Sequence, residues 1–109
     1  MKKTIVIAVA LMFGAVMVAS AADAKENWNK QCAKCHGPDG KGQTKMGQKL
    51  GIKNLTDPKV QAELKDDLAF KSVKEGVKDK DGKILMKPAE GVSDDEIKAL
   101  IAYVRTLKQ

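Results

Sequence analysis

The spacing of hydrophobic and polar residues is most regular at the end of the chain. The apolar positions there recur three or four residues apart, as on one face of an α-helix, and they are Ile97, Leu100, Ile101, Val104 and Leu107. Ser93 and Glu96 precede this face with the spacing of a capping box. The pattern predicts a terminal helix that begins after Ser93.

A first helix is predicted just ahead of the two cysteines. Ala24, Trp28 and Cys32 recur every four residues, so they share one helix face. Asp23 and Glu26 stand three residues apart and have the outline of a second capping box. The helix is therefore expected to begin at Asp23, to run into the cysteines and to end at Gly37 and the turn residues that follow.

Two central helices are predicted from their start and stop signals. Asp57 followed by Pro58 is a typical cap with proline in the first helical position. Another helix opens at Asp66 or Asp67 and ends at Gly76. Their apolar faces hold Val60 and Leu64 in the first helix, and Phe70, Val73 and Val77 in the second.

The remaining segments are predicted as loops. Residues 37–55 are rich in glycine and lysine and show no sustained period. Lys80-Asp81-Gly82 forms a turn, and residues 84–88 form an apolar loop, because the residue before a proline favours extended geometry. No segment alternates convincingly as a β-strand does. The prediction is an all-α domain of about four helices, without internal repeats.

The N-terminal segment has the pattern of a secretory signal. Lys2 and Lys3 precede a charge-free apolar run over residues 5–18, and small residues follow. Cleavage after Ala21 or after Ala24 fits the small-residue rule. We expect a signal peptide over residues 1–22, uncertain by a few residues, and one domain over residues 23–109. The protein is then exported, most simply to the periplasm; an uncut anchor facing the periplasm is the alternative.

The charge of the exported chain is moderately basic. Without Lys2 and Lys3 the net charge falls from +6 to +4. Residues 27–55 hold six lysines and a single acidic residue, Asp39. This surface is either simply solvated or a docking patch for acidic partners. Nucleic-acid binding is not expected because the chain lacks a basic, aromatic platform, and membrane contact is expected only through partners unless the N-terminal segment stays uncut.

The chemistry-bearing motif is Cys32-Ala33-Lys34-Cys35-His36, the attachment signature of c-type haem. The two thiols lie about one helical turn apart and can bond to the two vinyl groups of one porphyrin, while His36 ligates its iron. One covalent haem c would also supply the core that so short a domain lacks. A redox disulfide would need a β-sheet domain, and structural zinc would need four ligands.

The sixth iron ligand is predicted to be Met86. His36 is the only histidine, which excludes a second imidazole from this chain. Methionine is the usual alternative, and Met86 stands 50 residues beyond His36 in an apolar loop. Met46, water, Lys83 and Lys87 remain open as other ligands.

The chain resembles the class I cytochrome c family, particularly its small bacterial members, over essentially all of residues 23–109. The matching motifs are Trp28 upstream of the haem motif and Gly37, the turn at residues 39–42, the loop at residues 86–88, and residues 93–97 leading to residues 102–105. The resemblance implies the cytochrome c fold, with the first and last helices packed near Trp28 and Tyr103. It also implies haem attachment through Cys32 and Cys35 and iron ligation by His36 and Met86.

Two positions depart from the family pattern. Lys87 stands between Met86 and Pro88, where many relatives have proline directly after the methionine. Gly51-Ile52-Lys53 replaces a Gly-Pro-like step. The hydrogen-bond acceptor for the second nitrogen of His36 is therefore open, with the Pro38 carbonyl as one candidate.

The expected function is one-electron transfer between redox proteins, without enzymatic activity. An iron with both axial positions filled has no site for a substrate, and methionine ligation favours a moderately positive reduction potential. The redox partners are expected to have acidic docking surfaces. The alternatives are a haem sensor or enzyme with a vacant or labile sixth site, and an electron-entry subunit of a larger respiratory complex.

Overall fold

The structure is a computed structural model that describes residues 21–109, so the predicted signal peptide lies almost entirely outside the described residues. From residue 21 onwards the chain is mostly helical, as predicted, with one small β-ribbon. Within these residues no helix has the length and apolar character needed to cross a membrane. The elements are α1 (Ala21–Gln31), α2 (Ala33–His36), α3 (Lys45–Leu50), α4 (Pro58–Glu63), α5 (Asp66–Glu75), β1 (Val77–Lys78), β2 (Ile84–Met86) and α6 (Asp94–Thr106).

The first and last helices pack together, which confirms the expected contact. Trp28 and Cys32 from the start of the domain form a buried cluster with Leu100 of α6. Trp28 is only 3% exposed, and its ring lies 5.8 Å from that of Tyr103, centroid to centroid. Helices α1 and α6 therefore cross through an aromatic contact, and α5 packs against α6 beside it.

Helix starts follow the predicted signals at three of four sites, those of α4, α5 and α6. The Asp57 carboxylate accepts a hydrogen bond from the Lys59 backbone N–H, and Ser93 and Glu96 form a complete capping box. Gly76 ends α5 with a φ of 78°. Asp23, in contrast, lies within α1 and not at its cap, because the helix already includes Ala21.

Two segments that were predicted as loops contain regular structure. Helix α3 occupies part of the glycine-rich stretch; Thr44 caps it by accepting a hydrogen bond from the Gly47 backbone N–H. Strands β1 and β2 form an antiparallel pair in which Val77 lies opposite Met86. The predicted turn at Gly82 connects them. Helix α3 and the β-ribbon are too short to show a period in the sequence, so the sequence indicates only their caps and turns.

Arg105 joins the last helix to the two central helices. Its guanidinium donates to the Leu64 carbonyl at 2.6 Å and to the Asp66 carboxylate at 2.7 Å. It also donates to the carbonyl of Gln61, whose buried side-chain amide in turn donates to the Val104 carbonyl at 2.8 Å. A planar guanidinium can satisfy several acceptors at once, so these bonds set the positions of α4 and α5 relative to α6.

We expect Glu96→Gln to reduce the loss of stability in acid. The pKa of Glu96 lies below its usual value, first because the Ser93 backbone N–H binds its carboxylate and then because Asn27 does. A lowered folded-state pKa stabilises the protein above the carboxyl's ordinary pKa, and this contribution disappears as the pH falls through the folded-state value. Thermal melts between about pH 6 and about pH 3 should show a smaller decrease in Tm for Glu96→Gln than for the wild type.

Asp95→Asn is the matched control for this prediction, since it removes an equal charge from the same helical turn. Its melts should follow the wild-type slope more closely than those of Glu96→Gln. If Tm depends on pH identically in Glu96→Gln and in the wild type, the lowered pKa of Glu96 does not contribute to stability and the prediction is wrong.

Candidate functional site

The four residues predicted to hold the haem line a single cavity. Its volume is about 920 Å³, towards the upper end of the range typical of ligand and cofactor sites. Cys32, Cys35 and His36 reach it from the junction of α1 and α2, and Met86 reaches it from β2. Tertiary structure therefore brings the motif together with a methionine 50 residues further along the chain.

The cysteine motif follows α1 through a nearly continuous helical path. The Cys32 N–H bonds the Trp28 carbonyl at 2.8 Å, and the His36 N–H bonds the Cys32 carbonyl at 2.9 Å. This geometry keeps both thiols on consecutive turns facing the cavity. Cys32 and Cys35 are both free thiols, and Cys32 is the more buried of the two. Burial, with a smaller contribution from Cys35, raises the pKa of Cys32 to about 11.

His36 is held against the tryptophan of the core. The two rings lie 5.5 Å apart, centroid to centroid, at an interplanar angle of 39°. The Trp28 indole N–H also donates to the carbonyl of Gly37, directly after the histidine, at 3.0 Å. Burial lowers the pKa of His36, which keeps the imidazole neutral at neutral pH, the state that binds metal ions.

The second nitrogen of His36 has no acceptor within residues 21–109. Its Nδ1 is buried and makes no hydrogen bond there. The Pro38 carbonyl, a candidate from the sequence, does not serve as the acceptor, and the Gly42 N–H binds the backbone carbonyl of His36 instead of its ring. The ring contact that the imidazole does make is the tilted one with Trp28.

Met86 is positioned by its strand and by a close backbone approach. It pairs with Val77 in the ribbon, and the Ala89 N–H donates to the Val73 carbonyl at 2.9 Å. A Cβ at Gly76 would lie 2.6 Å from the Met86 carbonyl oxygen. Because real Cβ atoms do not approach so closely, Gly76 is required for more than ending α5: it lets the backbone around Met86 pack against the helix end.

Met46 lines the same cavity but belongs to a different element, α3. This helix packs against α2, and the Thr44 hydroxyl donates to the Cys35 carbonyl at 2.7 Å. Met46 is thus anchored beside the histidine-bearing helix, whereas Met86 belongs to a separate element. Met46 and Met86 therefore reach the cavity from different elements, and both line the candidate site.

The cavity fits a large apolar cofactor. Four large hydrophobic side chains are exposed in the described chain, and three of them line this cavity: Met46, Ile84 and Leu85. Ile84 is 51% exposed. A porphyrin bound to the cysteine motif would cover these side chains, which gives a physical reason for their exposure. The donor set of thiols, imidazole and thioether is likewise that of a c-type haem.

Lysines dominate the charged residues around the cavity. Its lining includes a single carboxylate, Glu63, which forms an ion pair of 3.7 Å with Lys53. The lysines that line it are Lys34, Lys49, Lys53, Lys83 and Lys87. The part of the surface next to the cavity is therefore clearly positive, in agreement with the lysine excess in the sequence.

Sequence reasoning did not identify three contacts that shape the site. The contact of Trp28 with His36, the approach of Gly76 to Met86, and a contact from Gln31 to the segment after Met86 all join residues that show no shared pattern. A signal existed for α3, since Thr44 precedes it in the position of an N-cap.

Comparison with known proteins identifies the family of this fold. The family model for cytochrome c matches residues 21–108. Among solved structures, the KustC0563 c-type cytochrome superposes with a TM-score of 0.67 at 30% identity, covering 79% of this chain and 98% of that chain. A tyrosine-to-phenylalanine mutant of Kustc0563 gives a TM-score of 0.65 at 31% identity, covering 79% and 99%. None of the curated proteins matches the chain. With this fold and this family match, the chain belongs to the cytochrome c family and is an electron-transfer protein that carries covalently bound haem c.

Proposed function

We propose that this cytochrome c is an exported one-electron carrier, with its haem attached through Cys32 and Cys35 and its iron ligated by His36 and Met86. One observation carries the proposal: all four side chains line the same cavity of about 920 Å³. When bound, the haem supplies the Fe(III)/Fe(II) couple. The protein would act as a carrier and not as an enzyme, because an iron with two axial protein ligands has no free coordination position for a substrate.

The residues of the chain divide this task between them. The Cys32 and Cys35 thiols would each add across a vinyl group, forming a C–S bond while the thiol hydrogen goes to the other vinyl carbon, so no oxidant is needed. His36, held against the tilted ring of Trp28, would bind the iron from α2. Met86 would bind from β2, and its neighbours Ile84 and Leu85 would keep water from the ring. An apolar setting and a thioether ligand both favour the ferrous state.

Export is supported by the N-terminal pattern of residues 1–22, which has a basic start, an apolar middle and small residues at the end. We expect the protein recovered from the periplasm to have the mass of the chain from about residue 22 plus one haem, as measured by intact mass spectrometry.

Cys32→Ser should retain haem through one thioether only. Intact mass measures whether the haem is present, and acid extraction measures whether it is covalently bound. A full-length chain in the membrane fraction would support the anchored alternative, and a periplasmic product without added haem would contradict the proposal.

The lysines around the cavity are proposed to guide acidic redox partners. Lys49→Glu combined with Lys83→Glu should slow electron transfer to an acidic redox protein at low ionic strength by on the order of tenfold or more, because steering charges act mainly on association. As the salt concentration rises, the stopped-flow rate of this double variant should approach that of the wild type, because salt screens the steering charges. Lys98→Glu combined with Lys108→Glu changes the net charge equally at positions outside the cavity lining. Equal slowing by both double variants would show that net charge, and not a docking face, sets the rate.

A further inference from the structure

Gln31 binds the backbone of a residue 59 positions further along the chain. Its side-chain Nε2 donates to the Glu90 carbonyl at 2.7 Å, and its Oε1 accepts from the Glu90 N–H at 2.8 Å. One amide group thus satisfies both backbone groups of Glu90, in the manner of a short β-bridge. Gln31 is the last residue of α1 and directly precedes Cys32.

The backbone held by Gln31 belongs to the segment that carries Met86. Glu90 lies four residues after Met86, and the segment between them is otherwise anchored to α5 and β1, through the Ala89 bond to Val73 and the pairing of Met86 with Val77. Gln31 supplies a connection to the other wall of the cavity, next to the cysteine motif. Its two bonds close the segment against the end of α1, directly before the cysteine motif.

We propose that Gln31 is a positioning residue for the sixth ligand: its amide clamps the segment 86–90 to the end of α1, next to the haem-binding motif, and so limits dissociation of Met86 from the iron. The inference rests on the proposed ligation by His36 and Met86. For Met86 to swing away with its segment, both bonds to Glu90 must break. Because both partners are exposed and regain water, the clamp has a modest effect, about tenfold on the opening equilibrium.

The clamp requires an amide. A carboxylate at position 31 can still accept from the Glu90 N–H but cannot donate to the Glu90 carbonyl. Gln31→Glu therefore removes one of the two bonds, and Gln31→Ala removes both. Gln48→Ala is the matched control, since Gln48 is also an exposed glutamine and its amide donates only locally, to the Gln43 carbonyl at 3.1 Å.

Imidazole binding to the ferric holoprotein measures the opening of the segment. Imidazole reaches the iron only when Met86 has left, so its apparent affinity scales with the open fraction. We expect Gln31→Ala to bind imidazole about tenfold more tightly than the wild type, Gln31→Glu to lie between them, and Gln48→Ala to match the wild type. Denaturant unfolding of each variant gives the change in global stability for comparison.

Three outcomes would overturn the clamp. They are an unchanged imidazole affinity in Gln31→Ala, an equal increase in Gln48→Ala, and a loss of global stability in Gln31→Ala large enough to account for the whole change. The long-wavelength sulfur-to-iron charge-transfer band of the wild-type ferric protein tests the underlying ligation separately. If that band is absent, the ligation by Met86 fails and the clamp fails with it; if it is present, the imidazole titrations decide on Gln31 alone.

Discussion

Met86→Ala is expected to abolish the sulfur-to-iron charge-transfer band of the ferric protein and to open the sixth coordination position. The reduction potential should decrease by on the order of 0.1 V, a fraction of the roughly 0.8 V over which axial ligands tune haem iron. The physical reason is that the thioether favours ferrous iron, and water or hydroxide in its place does not. Optical spectra and a redox titration of the purified holoprotein measure both effects.

Met46→Ala is the control for the ligand assignment. Met46 lines the same cavity, but its helix packs beside the histidine-bearing helix, so its loss should leave the band and the potential close to those of the wild type. Loss of the band in Met46→Ala would reverse the assignment. A wild-type protein without the band, which binds small ligands readily, would favour the sensor or enzyme with a vacant sixth site.

Trp28→Ala is expected to cost about 3–5 kcal/mol in the free energy of unfolding, the usual cost of truncating a large buried aromatic residue. The indole is 3% exposed, contacts the rings of His36 and Tyr103, and donates to the Gly37 carbonyl. Trp28→Phe preserves part of the packing but leaves that buried carbonyl without its donor, at a cost of about 1–3 kcal/mol. Denaturant unfolding of the holoprotein, followed by circular dichroism, measures both values.

Leu68→Ala provides the comparison for a large apolar residue outside the core. Leu68 is 60% exposed and does not line the cavity. Leu68→Ala should therefore change the free energy of unfolding by no more than about 0.5 kcal/mol. A cost below about 1 kcal/mol for Trp28→Ala would contradict the central position of the indole between the two packed helices.

The predictable part of the fold depends on interactions between residues close in the chain. The capping box of Ser93 and Glu96 needs only residues three apart, and the apolar face of α6 repeats within one or two turns. These signals were sufficient for α4, α5 and α6. They failed for α3 and the β-ribbon, which are too short to show a period and lack the Asp-Pro start that marks the equally short α4.

The candidate site, like the fold, has a part that local sequence predicts and a part that depends on tertiary structure. The haem motif lies within five consecutive residues, so cysteine spacing alone identified the cofactor and its attachment point. Composition also identified the shortage of core residues and limited the sixth ligand to a short set. Local sequence does not decide between Met86 and Met46 as the sixth ligand. That choice depends on which elements lie next to α2, which is a property of the tertiary structure.

Local sequence therefore specified the cofactor, the class of fold and most helix ends, because each depends on bonds and spacings within a few residues. Tertiary packing decided the rest: that Met86 shares a cavity with His36, that Trp28 contacts the imidazole, and that Gln31 reaches Glu90. These relationships join residues 8 to 59 positions apart. The longer ones depend on tertiary packing, such as that of α1 against α6 and the close approach at Gly76, because no local spacing brings such distant segments together.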